Sequence, residues 1–76
     1  MTRLPAVKPR DVIRALGKAG FIVVRIKGSH HFMVHGDDPA RTTNVPGHGS
    51  HDLPRGTLHA IIKQARLTID EFIALL

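Results

Sequence analysis

Two adjacent histidines follow a basic residue and a Gly-Ser pair in the stretch Lys27-Gly28-Ser29-His30-His31. Apolar, β-branched sequence precedes this stretch, and more apolar sequence follows it. Because free imidazole titrates near neutral pH, a histidine can take a proton from one oxygen and give it to another. The stretch is therefore the first candidate for a catalytic site.

Proton transfer of this kind suits the cleavage of RNA, whose ribose 2′-hydroxyl is an internal nucleophile. A base that removes the 2′ proton and cations that stabilise the crowded phosphorane can suffice. Arg25, Lys27 and the exposed amides of the Gly28-Ser29 turn are candidates for that stabilisation. The Ser29 hydroxyl is better suited to orienting the histidine or the phosphate than to acting as a nucleophile.

Two predicted strands position this site. Residues 21–27 are dense in β-branched side chains, and their second half alternates apolar residues with Arg25 and Lys27, which predicts a strand with one basic face. The Gly-Ser pair predicts a turn, and residues 30–35 a second strand. Since successive strand residues point to opposite faces, only one of the two histidines can share the face of Lys27. We expect the other histidine to be structural.

The rest of the chain predicts helices around this hairpin. Pro9 and Asp11 mark a helix start, and Gly20 marks its end. A third strand is predicted at residues 41–45, and Leu53 to Thr57 open a second helix. Its apolar stripe is Leu58, Ile61, Ile62 and Ala65. Thr68-Ile69-Asp70-Glu71 has the capping-box form and predicts a last short helix that carries Phe72, Leu75 and Leu76 onto the core.

These elements predict a small two-layer α+β fold in the order α-β-β-β-α, with a short C-terminal helix, as a single domain over residues 1–76. A chain of 76 residues leaves no room for a separate cofactor domain. It has no cysteine, which excludes disulfides, thiolate zinc sites and cysteine nucleophiles. No apolar run approaches the roughly 20 residues of a membrane helix, so we expect a cytoplasmic protein with no membrane partner.

The charge predicts a polyanionic partner, of which nucleic acid is the commonest. The formal net charge is +5, and residues 1–36 carry seven basic side chains against the single acid Asp11. The anion-binding surface should therefore lie in the first half of the chain. Only three aromatic residues occur, all Phe, which argues against aromatic base stacking as the main mode of recognition.

The remaining histidines give a weaker signal. His48 and His51 share a polar loop with Ser50 and Asp52, and with an earlier histidine they would supply zinc ligands. A solvated or phosphate-contacting loop is the better interpretation of this pattern, so we expect no metal site. His35 and His59 are interpreted as surface residues.

Several segments in this order resemble the HicA toxins of bacterial and archaeal toxin–antitoxin pairs, from about residue 7 onward. They are Gly20-Phe21, Lys27-Gly28-Ser29-His30-His31, Val45-Pro46-x-His48, Leu53-x-x-Gly56-Thr57-Leu58, Ile61-Ile62-Lys63-Gln64-Ala65 and Thr68-Ile69-Asp70-Glu71-Phe72. The resemblance implies a fold like the double-stranded-RNA-binding domain and mRNA interferase activity, a translation-blocking endoribonuclease. It also implies neutralisation by a HicB antitoxin that covers the active histidine.

The resemblance transfers the catalytic role to His30, with His31 as the alternative because some members place the histidine one residue later. The expected RNA-binding or phosphate-stabilising residues are Arg25, Lys27, Gly28, Ser29 and His48. Cleavage is expected to need neither metal nor cofactor. Arg66 stands where the family often has Gly. The alternative function is a non-catalytic RNA-binding module that uses the same basic face.

Overall fold

The computed structural model describes residues 3–47 and 51–76. The elements in chain order are α1 (Pro9–Lys18), β1 (Phe21–Lys27), β2 (His30–His35), β3 (Thr42–Val45), α2 (Arg55–Gln64) and α3 (Ile69–Leu75). The strands form one antiparallel sheet in the order β1-β2-β3. The predicted α+β fold, two-layer and like the double-stranded-RNA-binding domain, is confirmed. No helix in these two ranges is long and apolar enough to cross a membrane.

The strand register separates the side chains of the sheet into two faces. Met33, in the middle of β2, is buried under the helices, and its neighbours two residues away share that inner face. The β2 residues directly before and after Met33, and the residues that pair with them across the sheet, lie on the opposite side. We call this side the outer face. It consists of Ile22, Arg25, Lys27, His30, Phe32, Val34, Thr42 and Asn44. The predicted basic face of the first strand is therefore confirmed for Arg25 and Lys27.

A β-bulge interrupts the pairing of β1 with β2. Val23 pairs with Met33 and Arg25 pairs with Phe32, so Val24 is an extra residue in β1. An extra residue shifts the alternation of side chains by one position and increases the local twist of the strand. Because of this shift, Arg25 lies on the outer face although Val23 lies on the inner one.

The core lies between the inner face of the sheet and the three helices. It includes Val12, Ala15 and Leu16 of α1, Leu58, Ile61 and Ile62 of α2, and the completely buried Phe72 of α3. The predicted capping box is present, since the Thr68 hydroxyl accepts from the Glu71 N–H and the Glu71 carboxylate accepts from the Thr68 N–H. The expectation that Leu76 packs onto the core is wrong. α3 ends at Leu75, and the Leu76 side chain is 43% exposed.

His35 is a structural residue, so its interpretation as a surface residue is wrong. Its Nε2–H donates to the Ala19 carbonyl at the end of α1 (3.0 Å), and its Nδ1 accepts from the Asp37 N–H (3.1 Å). The ring also packs edge-on against Phe21, with 5.1 Å between the centroids. A Cβ at Gly20 would lie 2.9 Å from His35 Nε2. Glycine is needed at position 20 for this approach as well as for its φ of +104°.

Arg41 ties the sheet to the end of α2. Its Nε and Nη2 donate to the carbonyl of Ala65, at 2.9 and 2.8 Å, and its guanidinium lies 5.5 Å from the centre of the Phe21 ring. β3 begins at Thr42, one residue later than predicted, although the Arg41 carbonyl still accepts from the His35 N–H. This half-buried arginine is engaged within the fold and holds β3 in place.

Candidate active site

The β1–β2 turn places His30 at the end of the outer face. Lys27 and His30 form the pair that closes the turn, and the turn itself contains Gly28 and Ser29. Gly28 has a φ of +59°, and a Cβ there would meet no atom within 4 Å. The glycine is therefore required by the backbone conformation of the turn and not by a close neighbour. Gly28 is exposed and Ser29 is half-buried.

Asn44 of β3 holds the exposed His30 ring from one side. Its Nδ2 donates to His30 Nδ1 at 3.0 Å, which leaves Nε2 as the free nitrogen of the ring. Asn44 pairs with Phe32 in the sheet, so it reaches His30 along the diagonal between the two strands. Asn44 Oδ1 is buried and has no hydrogen-bond partner among the described residues.

The Phe32 ring packs against both the Arg25 guanidinium and the His30 ring. The Arg25 guanidinium lies 5.8 Å from the centre of the Phe32 ring, and the His30 ring is stacked on Phe32 with 6.5 Å between the centroids. A cation over an aromatic face is attracted by the ring quadrupole. The half-buried Phe32 thus positions both Arg25 and His30 on the outer face.

These residues form a shallow basic groove. It is lined by Lys27, Gly28, His30, Phe32 and Asn44, and we call it the His30 groove. No acid lies on the outer face, and the two ion pairs in the described residues, Arg14–Asp11 and Arg66–Asp38, lie elsewhere. Arg25 and Lys27 consequently have no salt-bridge partner in that part of the chain, so their charges are available to an anion.

His31 points to the opposite side of the sheet. It pairs with Ile26 and Val45 on the inner face and is half-buried. Its Nδ1 is buried without a hydrogen bond to any described residue. The two histidines were predicted to point to different faces, with only one of them beside Lys27, and the structure confirms this placement. The histidine beside Lys27 is His30.

Two further histidines of the described residues, His51 and His59, do not line the His30 groove. His48, like Gly49 and Ser50, lies outside the described residues. His51 and His59 are exposed, and within residues 3–47 and 51–76 no group of three or more His, Asp or Glu side chains could hold a metal ion. The sequence analysis did not identify Asn44 as a site residue. Asn is disfavoured in strands, so an Asn within a short predicted strand could have indicated a functional role.

The helix order, the three-stranded sheet and its basic outer face define a small α+β protein of the double-stranded-RNA-binding-domain type. Residues 9–67, from the start of α1 to just past α2, match the protein family described as "HicA toxin of bacterial toxin-antitoxin". The chain belongs to this HicA toxin family. Membership makes it the toxin of a toxin–antitoxin pair and implies an antitoxin partner. No curated protein matches the chain significantly.

Proposed function

We propose that this toxin is an endoribonuclease, an mRNA interferase of the cytoplasm, and that His30 is its catalytic residue. The placement of His30 on the same face as Arg25 and Lys27, with no acid beside them, carries the proposal. A phosphodiester in the His30 groove meets a proton acceptor and two cations at once. His31 has only Ile26 and Val45 as its cross-strand partners.

The proposed reaction uses the nucleophile of the RNA itself. The 2′-oxygen attacks the adjacent phosphorus while His30 Nε2 takes the 2′ proton. The bond between phosphorus and the 5′-oxygen breaks, and the departing oxygen takes a proton from the imidazolium or from water. A 2′,3′-cyclic phosphate and a free 5′-hydroxyl result. These steps use side chains and solvent alone, so cleavage proceeds without a metal or cofactor.

Asn44 can bond either neutral tautomer of His30 in this scheme. With Nδ2 directed at the ring, the amide donates to a neutral His30 whose proton is on Nε2. Rotation of the amide by half a turn directs Oδ1 at the ring instead, where it accepts from Nδ1–H and leaves Nε2 free as the base. In this second orientation the Asn44 oxygen accepts from Nδ1–H both before and after Nε2 takes a proton.

The cations and turn amides stabilise the charge that develops on phosphorus. Arg25 and Lys27 are the cross-strand partners of Phe32 and His30, and the exposed backbone at Gly28 adds N–H donors together with Ser29. His48 follows β3 in the chain and remains a proposed phosphate contact. The same positive surface suits neutralisation by a HicB-type antitoxin that covers His30.

Purified His30→Ala and His31→Ala variants test the catalytic assignment. We expect wild type and His31→Ala to cleave an mRNA in the presence of EDTA, whereas His30→Ala leaves it intact, and His59→Ala on the exposed face of α2 serves as the control. Circular dichroism verifies that each variant is folded. If His30→Ala cleaves at the wild-type rate, the assignment is wrong. Loss of cleavage in His31→Ala alone would transfer the role to His31.

The second candidate function is an RNA-binding module without catalysis. The free charges of Arg25 and Lys27 favour it, because lysines and arginines without partners bind phosphates regardless of sequence. This alternative predicts that wild type shifts a duplex RNA in a salt-dependent manner and leaves it uncut. Cleavage products that disappear in His30→Ala exclude it.

A further inference from the structure

The first strand carries an unusual amount of exposed apolar surface. Ile22 is 56% exposed, Val24 57% and Ile26 62%, and Val23 is 39% exposed. In the described ranges, the other large exposed apolar side chain is Leu76 at the end of α3. Contiguous exposed apolar side chains mark interaction surfaces more often than scattered ones do. This concentration on β1 indicates that a partner covers the strand.

Within residues 3–47 and 51–76, the backbone of β1 is unpaired along one side, because β1 is an edge of the sheet. The Gly36 N–H donates to the Gly20 carbonyl, and the His35 N–H is directed at Arg41 beside β3. It follows from the antiparallel pattern that Phe21 and His35 form a non-hydrogen-bonded pair. The N–H and C=O groups of Phe21 and Val23 therefore point away from β2, toward the open edge, which we call the β1 edge.

The exposed apolar side chains lie on both faces of the sheet. Ile22 pairs with Val34 on the outer face, and Ile26 pairs with His31 on the inner face. A flat surface placed against either face would leave the other isoleucine exposed. A strand added at the β1 edge has side chains that alternate between the two faces, so it contacts both.

Charge favours an acidic partner over a second copy of this chain. β1 itself contains Arg25 and Lys27. The neighbouring helix α1 contacts β1 and exposes Arg10, Arg14 and Lys18. Two copies joined edge to edge would bring these like charges together, and a bulge with a nearby lysine is a common device against such self-pairing. An acidic strand meets the same surface favourably.

We propose that the antitoxin adds an acidic, partly apolar strand to the β1 edge, so that its backbone pairs with Val23 and its side chains cover Ile22 and Ile26. This inference rests on the proposed function in one respect, the existence of a neutralising antitoxin. The β1 edge ends at Lys27, the cross-strand partner of His30. A strand bound there holds the antitoxin beside the His30 groove through contacts that do not involve His30.

Ile22→Glu and Val24→Glu test the interface, because each places an acid on the β1 edge and neither residue belongs to the His30 groove. The matched control is Leu76→Glu, which alters an exposed apolar residue outside β1. The probe is a HicB-type antitoxin that forms a complex with the wild-type chain when the two are co-expressed and purified. We expect its Kd to rise at least about tenfold for both β1 variants, since opposed like charges cost several kcal/mol, and to stay unchanged for Leu76→Glu.

Hydrogen exchange distinguishes strand addition from side-chain docking. The Val23 amide should exchange more slowly in the complex than in the free toxin, since strand addition gives it a partner. Unchanged antitoxin affinity in both β1 variants, or an unprotected Val23 amide, overturns the proposal. The proposal is also overturned if the wild-type toxin alone forms a dimer that Ile22→Glu dissociates, because a second copy would then occupy the β1 edge. RNA cleavage by the free wild type and the free variants is measured separately. If the wild type binds antitoxin through β1 but leaves RNA intact, the nuclease function is contradicted and the interface is not.

Discussion

The side-chain amide of Asn44 lies 3.0 Å from His30 Nδ1 and joins the middle of β3 to the first residue of β2. The two residues are 14 positions apart in the chain and meet because β3 pairs with β2 in a register that sets Asn44 opposite Phe32. An exposed histidine at a hairpin end would otherwise rotate freely. The amide restrains the ring and leaves Nε2 free for the proposed RNA substrate.

Asn44→Ala is expected to lower kcat for RNA cleavage and to leave KM nearly unchanged. The variant removes one hydrogen bond of about 1 kcal/mol that orients His30, which corresponds to a roughly fivefold loss of rate. Arg25 and Lys27 remain to bind the RNA. Steady-state cleavage of a short fluorescent RNA measures both constants.

Thr42→Ala is the matched control for Asn44→Ala, because Thr42 lies on the same face of the same strand and does not contact His30. It should cleave as wild type does. A rise in KM for Asn44→Ala with an unchanged kcat would mean that Asn44 contacts the RNA and does not position the histidine.

The sequence predicted the local elements well, because their signals are local. The bounds of the first two strands follow from β-branched runs separated by Gly28-Ser29, and the opposite directions of His30 and His31 follow from the pleat alone. The start of the last helix follows from Thr68 and Glu71, whose side chains each bond the other's backbone.

The contacts made between distant segments were not predictable in the same way. His35 was interpreted as a surface residue because nothing beside it in the chain shows that it bonds the carbonyl at the end of α1. Asn44 was overlooked since its role depends on the register of β3, and a one-residue slip would turn it to the other face. The bulge at Val24 likewise depends on how β1 pairs with β2.

Arg66→Gly is expected to stabilise the fold by about 1 kcal/mol. Arg66 has a φ of +59°, the one positive value at a non-glycine residue in the described ranges. It follows the C-cap of α2, where its N–H donates to the Lys63 carbonyl and the Leu67 N–H donates to the Ile62 carbonyl. This helix-ending geometry favours glycine, the residue that the resemblance to the HicA toxins leads us to expect at this position.

Urea unfolding of wild type, Arg66→Gly and Arg66→Ala measures this effect. Arg66→Ala is the control, because it removes the same exposed 3.9 Å ion pair with Asp38 but keeps a Cβ in the left-handed conformation. It should be no more stable than wild type. Equal gains in both variants would show that the loss of the arginine side chain, and not relief of the backbone, is responsible.

Glu71→Gln should reduce the loss of stability that acid causes. The hydrogen bond from the Thr68 backbone N–H, and secondarily the one made with the Thr68 side chain, lowers the pKa of Glu71 below its usual 4.5. A carboxyl whose pKa is lower in the folded state stabilises the fold above pH 4.5, and this contribution is lost as the pH falls through the lowered value. Gln keeps an acceptor for the Thr68 N–H but does not titrate. Urea unfolding between about pH 3 and pH 7 should therefore give a shallower acid limb for Glu71→Gln, and parallel curves would contradict the prediction.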